Sequence, residues 1–347
     1  MVIPGLVGWE RMNASNAVAQ LAKLRAPPRV RLGNWPTPLE RVTLPGTPMI
    51  WVKRDDLSGW GRGGAKARKI EHLIEHMLAR GYTDLVTVAG NVTNLAFDLL
   101  PALDRAGLGA HLHIIDDPKV SAGARARIFA GLEDRLTFLG ASRAEAFRRT
   151  WQRWFELYRS GRRPFWVLPG VSHPAGILGN AAGYLEMMDQ FDSSGHRLPR
   201  TLFVTAATGT TVAGFVLAER LRRLLGEPAV RIVGVQIYPG RIRKSTGFLA
   251  RWAALTAHGA MPAHVDVDIV SDALSGGFGR FLPSLAELCE RVASEAGLFI
   301  DPIFGGKTWL AMEREIARTK PRDGDVLYWH CGFTPEWRAL GQLLEAS

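Results

Sequence analysis

Two short stretches carry residue types that can do chemistry together. The first is Gly63-Gly64-Ala65-Lys66-Ala67-Arg68-Lys69, a glycine pair leading to a lysine at the mouth of a predicted helix. The second is Ala207-Thr208-Gly209-Thr210-Thr211-Val212-Ala213-Gly214. A lysine amine held at a tight turn can condense with an aldehyde. A small-residue turn between a strand and a helix aims backbone N–H groups at an anion. Gly209 relieves crowding there, and Thr208, Thr210 and Thr211 add hydroxyl donors. A cofactor that is at once an aldehyde and a phosphate, pyridoxal 5′-phosphate, needs both features. Each has a plainer alternative. Such a turn can simply pack, and a lone lysine near a helix start is usually just exposed. The charge of Lys66 is unfavourable at the positive end of a helix, which tilts its reading toward function.

A third stretch is Gly90-Asn91-Val92-Thr93-Asn94, a predicted strand-to-helix turn. Its N–H groups offer a grip for a substrate carboxylate, and Asn94 offers a bond to a phenolic oxygen. The alternative is an ordinary helix cap by Thr93 or Asn94. Trp60 and Arg62 stand just before the Lys66 turn. Arg62 could meet a second acidic group on a substrate, or simply a carboxylate at the surface.

The elements that must position these stretches alternate in type, which predicts α/β architecture with largely parallel sheets. Strands are expected at 49–52, 85–88, 111–115 and 165–168. Between the first two lies a helix over 67–80, with Ile70, Leu73, Ile74, Met77 and Leu78 on one face and Gly81 ending it. Another helix runs over 94–105. A helix over 175–188 then leads through a polar linker, 192–196, to a strand at 201–205. The glycine-containing turn follows, then a helix over 212–225 and strands at 232–237 and 326–329. Two α/β units with a cleft between them fit this order.

Composition narrows the class. The chain has 347 residues, 47% of them hydrophobic, and a net charge of +10. No apolar run approaches the roughly 18 residues that span a bilayer, so no membrane role is expected. The amino terminus lacks the pattern of a secretion signal. With Cys289 and Cys331 as its two cysteines, the chain is expected in a reducing, cytoplasmic compartment. No metal site is predicted. Seven arginines lie between Arg143 and Arg163, mixed with Trp151 and Trp154. Arginines with aromatics can serve nucleic acid. Here Ala146, Phe147, Trp151, Trp154 and Leu157 recur at helical spacing, so the arginines read instead as the solvated face of an amphipathic helix.

Taken together, these stretches resemble the D-cysteine desulfhydrase and 1-aminocyclopropane-1-carboxylate deaminase family, pyridoxal-phosphate enzymes of the tryptophan synthase β-like fold (fold type II). The resemblance runs from about Trp35 to Gly332. It also takes in Thr37-Pro38-Leu39, Lys53-Arg54-Asp55-Asp56-Leu57, Ser172-His173-Pro174, Asp301-Pro302, Gly306-Lys307 and His330-Cys331-Gly332. It implies two open, mostly parallel sheets with flanking helices. A large domain, 1–66 with 180–347, would carry a small inserted domain, 67–179. It implies that Lys66 is the Schiff-base lysine and moves the Cα proton; Thr93, nearby, is a candidate relay beside it. Asn94 would bond the phenolic oxygen, and Ala207, Thr208, Gly209, Thr210 and Thr211 would hold the phosphate. Asn91, Val92 and Thr93 would receive the substrate carboxylate, with Phe278 and Phe304 nearby. A homodimer is also implied.

The chain departs from the family pattern. Thr93-Asn94-Leu95 stands for Ser-Asn-His, and Phe278 and Phe304 stand where tyrosines are usual. Gly305 occupies the place of the residue facing the ring nitrogen, leaving Cys331 or Thr308 as substitutes. The expected activity is α,β-elimination on a small amino acid, a lyase or deaminase reaction. β-Replacement, racemisation and a catalytically retired cofactor-binding protein are the alternatives.

Overall fold

A computed structural model of the chain describes residues 14–90, 92–116, 122–259, 262, 264–275, 277 and 279–338. Asn91 and Phe278, both expected near a substrate, lie outside the described residues. The strands are β1 (Leu39–Val42), β2 (Ile50–Lys53), β3 (Asp84–Gly90), β4 (Gly109–Ile115), β5 (Leu136–Leu139), β6 (Pro164–Trp166), β7 (Thr201–Ala206), β8 (Arg231–Gln236), β9 (Asp268–Val270) and β10 (Val326–Trp329). The helices are α1 (Ala14–Arg25), α2 (Ala65–Ala79), α3 (Leu95–Arg105), α4 (Ala122–Ile128), α5 (Arg143–Arg159), α6 (Pro174–Ser194), α7 (Thr210–Leu224), α8 (Ile242–His258), α9 (Pro283–Ala296) and α10 (Gly305–Thr319).

Two sheets form. One has six strands in the order β1-β2-β10-β7-β8-β9, and the other has four in the order β5-β4-β3-β6. Only the β1–β2 pair is antiparallel among the described strands. The chain leaves the large sheet after β2, builds the small sheet, and returns to the large one at β7. Tyr328 pairs with Val52 on one side and Phe203 on the other. Helices cover both faces, so the central strands read as continuous apolar runs: all of β2 and β10 is buried. One face packs against α6, α7 and α8 through residues such as Tyr184, Phe215 and Ala253. The other packs against α9 and α10 through Leu288 and Trp309. The apolar faces of α2 and α3 close over the small sheet, with Ile70, Leu73 and Leu99 in its core.

The Lys53-Arg54-Asp55-Asp56 segment anchors α2 to the large sheet. Asp55 is fully buried and receives Arg68 at 2.8 and 2.9 Å, Trp329 Nε1 at 2.9 Å and Thr37 Oγ1 at 2.8 Å. Arg68 also donates to Glu186 on α6 at 2.9 and 3.0 Å. A buried charge set so fully hydrogen-bonded fixes the register of the helix that bears Lys66.

Three local expectations are corrected. The polar linker at 192–196 begins later, because α6 continues through Ser194 and ends where Gly195 adopts φ 66°. The strand at 165–168 is shorter: β6 ends at Trp166, and Leu168 makes only an isolated bridge to Ser172. On α5, Ala146, Thr150 and Leu157 are buried while Trp151 is 54% exposed, so the buried stripe is narrower than the spacing of aromatics suggested. Trp151 stacks instead on Trp166, with centroids 4.6 Å apart.

Candidate active site

A cavity of about 630 Å³ lies where the strand ends of the two sheets face each other. Lys66, Thr93, Asn94, Ala207, Thr208, Gly209, Thr210, Thr211, Phe304 and Cys331 all line it. Residues far apart in sequence are thus gathered into one site. Val92 is not among the lining residues; its side chain is buried in the small-sheet core.

Lys66 is the second residue of α2. The N-cap is Gly64 at φ 99°, where a Cβ would stand 1.9 Å from the Cys331 carbonyl oxygen. Glycine is required here both by the dihedral and by the close passage of the 331–332 backbone. The Lys66 ammonium lies 5.9 Å from the centroid of the Phe304 ring, in cation–π range.

The 207–211 turn has the geometry of an anion cradle. Gly209 caps α7 in the left-handed conformation at φ 88°, and a Cβ there would meet Thr246 Oγ1 at 2.0 Å. The first N–H groups of α7 have no intrahelical acceptor and point out of its positive end. The hydroxyls of Thr208 and Thr210 are 2.8 Å apart, and Ser172 Oγ reaches Thr210 Oγ1 at 2.7 Å.

Lys69 also lines the cavity, a residue that sequence reasoning missed. It follows Lys66 by nearly one helical turn, so the two project from one face of α2. That spacing was the available signal. Lys69 is only 7% exposed, and burial, then the neighbouring Lys66, pushes its pKa down to about 7. It has no hydrogen-bond or carboxylate partner among the described residues. Among those residues the one carboxylate lining the cavity, Asp116, is already paired with Arg125. A buried, uncompensated lysine beside free N–H groups and three threonine hydroxyls is a donor set that fits a phosphate.

Thr93 Oγ1 accepts from Leu95 N at 3.1 Å, so it takes up the first N–H of α3 from the cavity wall. Asn94 Oδ1 accepts from Arg62 Nη1 at 2.9 Å, and its Nδ2 donates to Thr334 Oγ1 at 2.9 Å and to Phe333 O at 3.3 Å. Of the two suggested ring-nitrogen substitutes, Thr308 is fully buried, bonded to Thr205 Oγ1 at 2.7 Å, and does not line the cavity. Cys331 does line it, and burial raises its thiol to about 11, so it stays protonated at neutral pH. Gly305 has no room for the missing side chain: a Cβ would lie 2.7 Å from the Tyr328 hydroxyl.

Comparison with known proteins gives the chain its family. The family described as pyridoxal-phosphate dependent enzyme matches residues 30–332, and the chain belongs to it. Its cofactor is therefore pyridoxal 5′-phosphate. The chain is 28% identical over 341 residues to 1-aminocyclopropane-1-carboxylate deaminase of Burkholderia vietnamiensis, covering 91% of this chain and 97% of that one. It is 26% identical over 321 residues to D-cysteine desulfhydrase of Salmonella paratyphi A, covering 89% and 94%. A crystal structure of an ACC deaminase homologue superposes with a TM-score of 0.77 at 25% identity, covering 95% of this chain and 99% of that one. The expected class, α/β with mostly parallel sheets and fold type II, is borne out. No helix among the described residues is long and apolar enough to cross a membrane.

Proposed function

We propose that the protein is a pyridoxal-phosphate-dependent lyase that removes the Cα proton of a small amino acid and eliminates its β-substituent. One observation carries this reading: Lys66 and the 207–211 cradle face a single cavity, with the uncompensated Lys69 beside them. The kinship with proteins named deaminase and desulfhydrase supports it.

Lys66 is the residue that would hold the cofactor covalently. Once its amine is released, it is the base that takes the proton from Cα and can return it to the product. Residues 207–211 and Lys69 would hold the phosphate, and Asn94 would donate to the phenolic oxygen by giving up its 3.3 Å bond to Phe333 O. Thr93 and the backbone around it would take the substrate carboxylate, with Phe304 closing the apolar side. When bound, the cofactor withdraws electrons from Cα and makes that C–H acidic. Cys331 would face the ring nitrogen as a neutral thiol, which cannot strongly hold a proton there. A weaker electron sink suits rapid loss of a leaving group better than chemistry that stores a carbanion. The inserted domain at 67–179, a homodimer and a cytoplasmic setting complete the proposal.

An amino-acid panel tests it. Release of ammonia and a 2-oxo acid from at least one member, absent in Lys66→Ala, is the expected result. A condensed amino-acid product would point to β-replacement, and inversion without release to racemisation. A cofactor band that no amino acid perturbs would point to a protein retired from catalysis.

A further inference from the structure

Arg62, a candidate for meeting a second acidic group of the substrate, does not line the cavity, and its guanidinium is committed elsewhere. Nη2 donates to Glu336 at 2.6 Å, and Nη1 donates to Asn94 Oδ1 at 2.9 Å. A different arginine does line the cavity. Arg143, the first residue of α5, stands on its wall with Ala141 before it and Phe147 one turn after it. Residues four apart share a helix face, so Arg143 and Phe147 project from α5 together.

The other arginines of α5 have partners. Arg148 and Arg149 reach Glu145 at 2.5 and 2.9 Å, Arg153 reaches Glu156 at 3.1 Å, and Arg159 lies 5.9 Å from the centroid of the Phe155 ring. Arg143 is exposed and makes no hydrogen bond, ion pair or ring contact among the described residues. Its position is also electrostatically poor, because a cation in the first turn faces the positive end of the helix. Helix stability does not account for an arginine there.

The charges of the cavity wall lead to a ligand. Among the described residues its cations are Lys66, Lys69 and Arg143, and Asp116, its one carboxylate, is held by Arg125. Lys66 is set aside for the cofactor's aldehyde and Lys69 for its phosphate. The substrate's own carboxylate has the N–H groups around Thr93. Arg143 is left over, a full positive charge with no anion assigned to it. It follows β5 of the small sheet, as the Thr93 turn follows β3, whereas the phosphate cradle follows β7 of the large sheet.

We infer that Arg143 sets substrate specificity by binding a negative charge on the β-substituent. The substrate class is then amino acids whose leaving group is a phosphate or an ester with a carboxylate tail. This rests on the elimination proposed above. In that reaction the Cα–H and Cβ–O bonds break and a Cα–Cβ double bond forms. Lys66 takes the proton, and the oxygen leaves with the bonding pair. Water then hydrolyses the remaining three-carbon fragment to pyruvate and ammonia.

The test reads two signals from the holoenzyme: pyruvate release for turnover, and the shift of the visible absorbance band for binding. Three serine esters are compared, each as both enantiomers. O-Acetylserine has a neutral leaving arm, O-succinylserine is the same kind of ester with a carboxylate tail, and O-phosphoserine carries the phosphate. Arg143→Met is expected to lower the ratio of charged to neutral ester by about tenfold in both signals. That is the low end for a charge-assisted hydrogen bond, because the guanidinium is open to solvent. Arg143→Glu, with the opposite sign, should lower the ratio further. A contact to the α-carboxylate, or an arginine that merely meets water, treats the three esters alike, so a ratio unmoved by either variant would overturn the inference. Weaker binding of pyridoxal 5′-phosphate by Arg143→Met, with pyridoxal unaffected, would also overturn it by assigning Arg143 to the phosphate. Pyruvate formed with an unmoved ratio leaves the elimination standing without the inference. A ratio that moves in the band shift, with no pyruvate from any ester, sinks the elimination and leaves the anionic side-chain site standing. A band that no ester shifts sinks both.

Discussion

Replacing Lys69 with methionine removes a charge while keeping most of the packing. The drop of its pKa from the ordinary 10.5 to about 7 means that burial and the neighbouring Lys66 together disfavour the ammonium by about 5 kcal/mol. A phosphate beside it reverses that penalty. Charge-assisted hydrogen bonds to a buried anion contribute up to about 3 kcal/mol, so Lys69→Met should weaken cofactor binding by roughly a hundredfold. The assay is a titration of the cofactor-free protein with pyridoxal 5′-phosphate, and in parallel with pyridoxal, which lacks the phosphate. Only the first should weaken. The sign of the pH dependence follows as well. In the cofactor-free protein Lys69 is charged below about pH 7 and neutral above it. The bound phosphate holds the proton on and raises that value. Affinity is therefore full below about pH 7 and falls by up to about tenfold per unit above it, until the bound-state value is passed. The variant should lose this slope. Equal losses for the two vitamers, or a slope that persists in the variant, would refute the assignment of Lys69 to the phosphate.

Three further outcomes are expected. Gly209→Ala forces a left-handed residue and a Cβ against Thr246, and should cost cofactor affinity at least about tenfold by the same titration. Arg68→Met takes the ion-pair partner from the fully buried Asp55 and should lower unfolding free energy by about 3 kcal/mol in denaturant melts, with Lys53, Trp329 and Thr37 still facing the carboxylate. Because Arg68 contributes to depressing the Asp55 pKa, the stability this pair provides should be present at neutral pH and lost as pH falls through the carboxylate range. Cys331→Ser keeps a small neutral donor at the cavity wall, so elimination should survive within about tenfold; complete loss of turnover with normal cofactor content would contradict a neutral ring-nitrogen partner.

The alternation of strands and helices was legible because the central strands are buried on both faces and the helices are amphipathic. The last strand, 326–329, was placed to the residue. That Lys66 and the Gly209 turn line one cavity was legible because together they supply an amine and an anion cradle, although each alone has a plainer use. Lys69 was not, because a lysine on an amphipathic helix ordinarily faces water, and only the packing of α2 against the cavity makes it buried. Trp151 misled for the converse reason: an aromatic at helical spacing usually marks a core, yet here it stacks on Trp166 at the surface. Arg62 meets both Asn94 and Glu336, contacts with distant stretches of the chain that no local pattern encodes. The end of α6 was lost because Asp192, Ser193 and Ser194 resemble a linker, while Gly195 sets the true stop.

The central claim is that Lys66 carries the cofactor. Reducing the holoenzyme with borohydride, digesting it and mapping the pyridoxyl group by mass spectrometry tests this directly. The label is expected on Lys66 and not on Lys69; a label on Lys69, or on neither lysine, would rule out Lys66 as the Schiff-base residue.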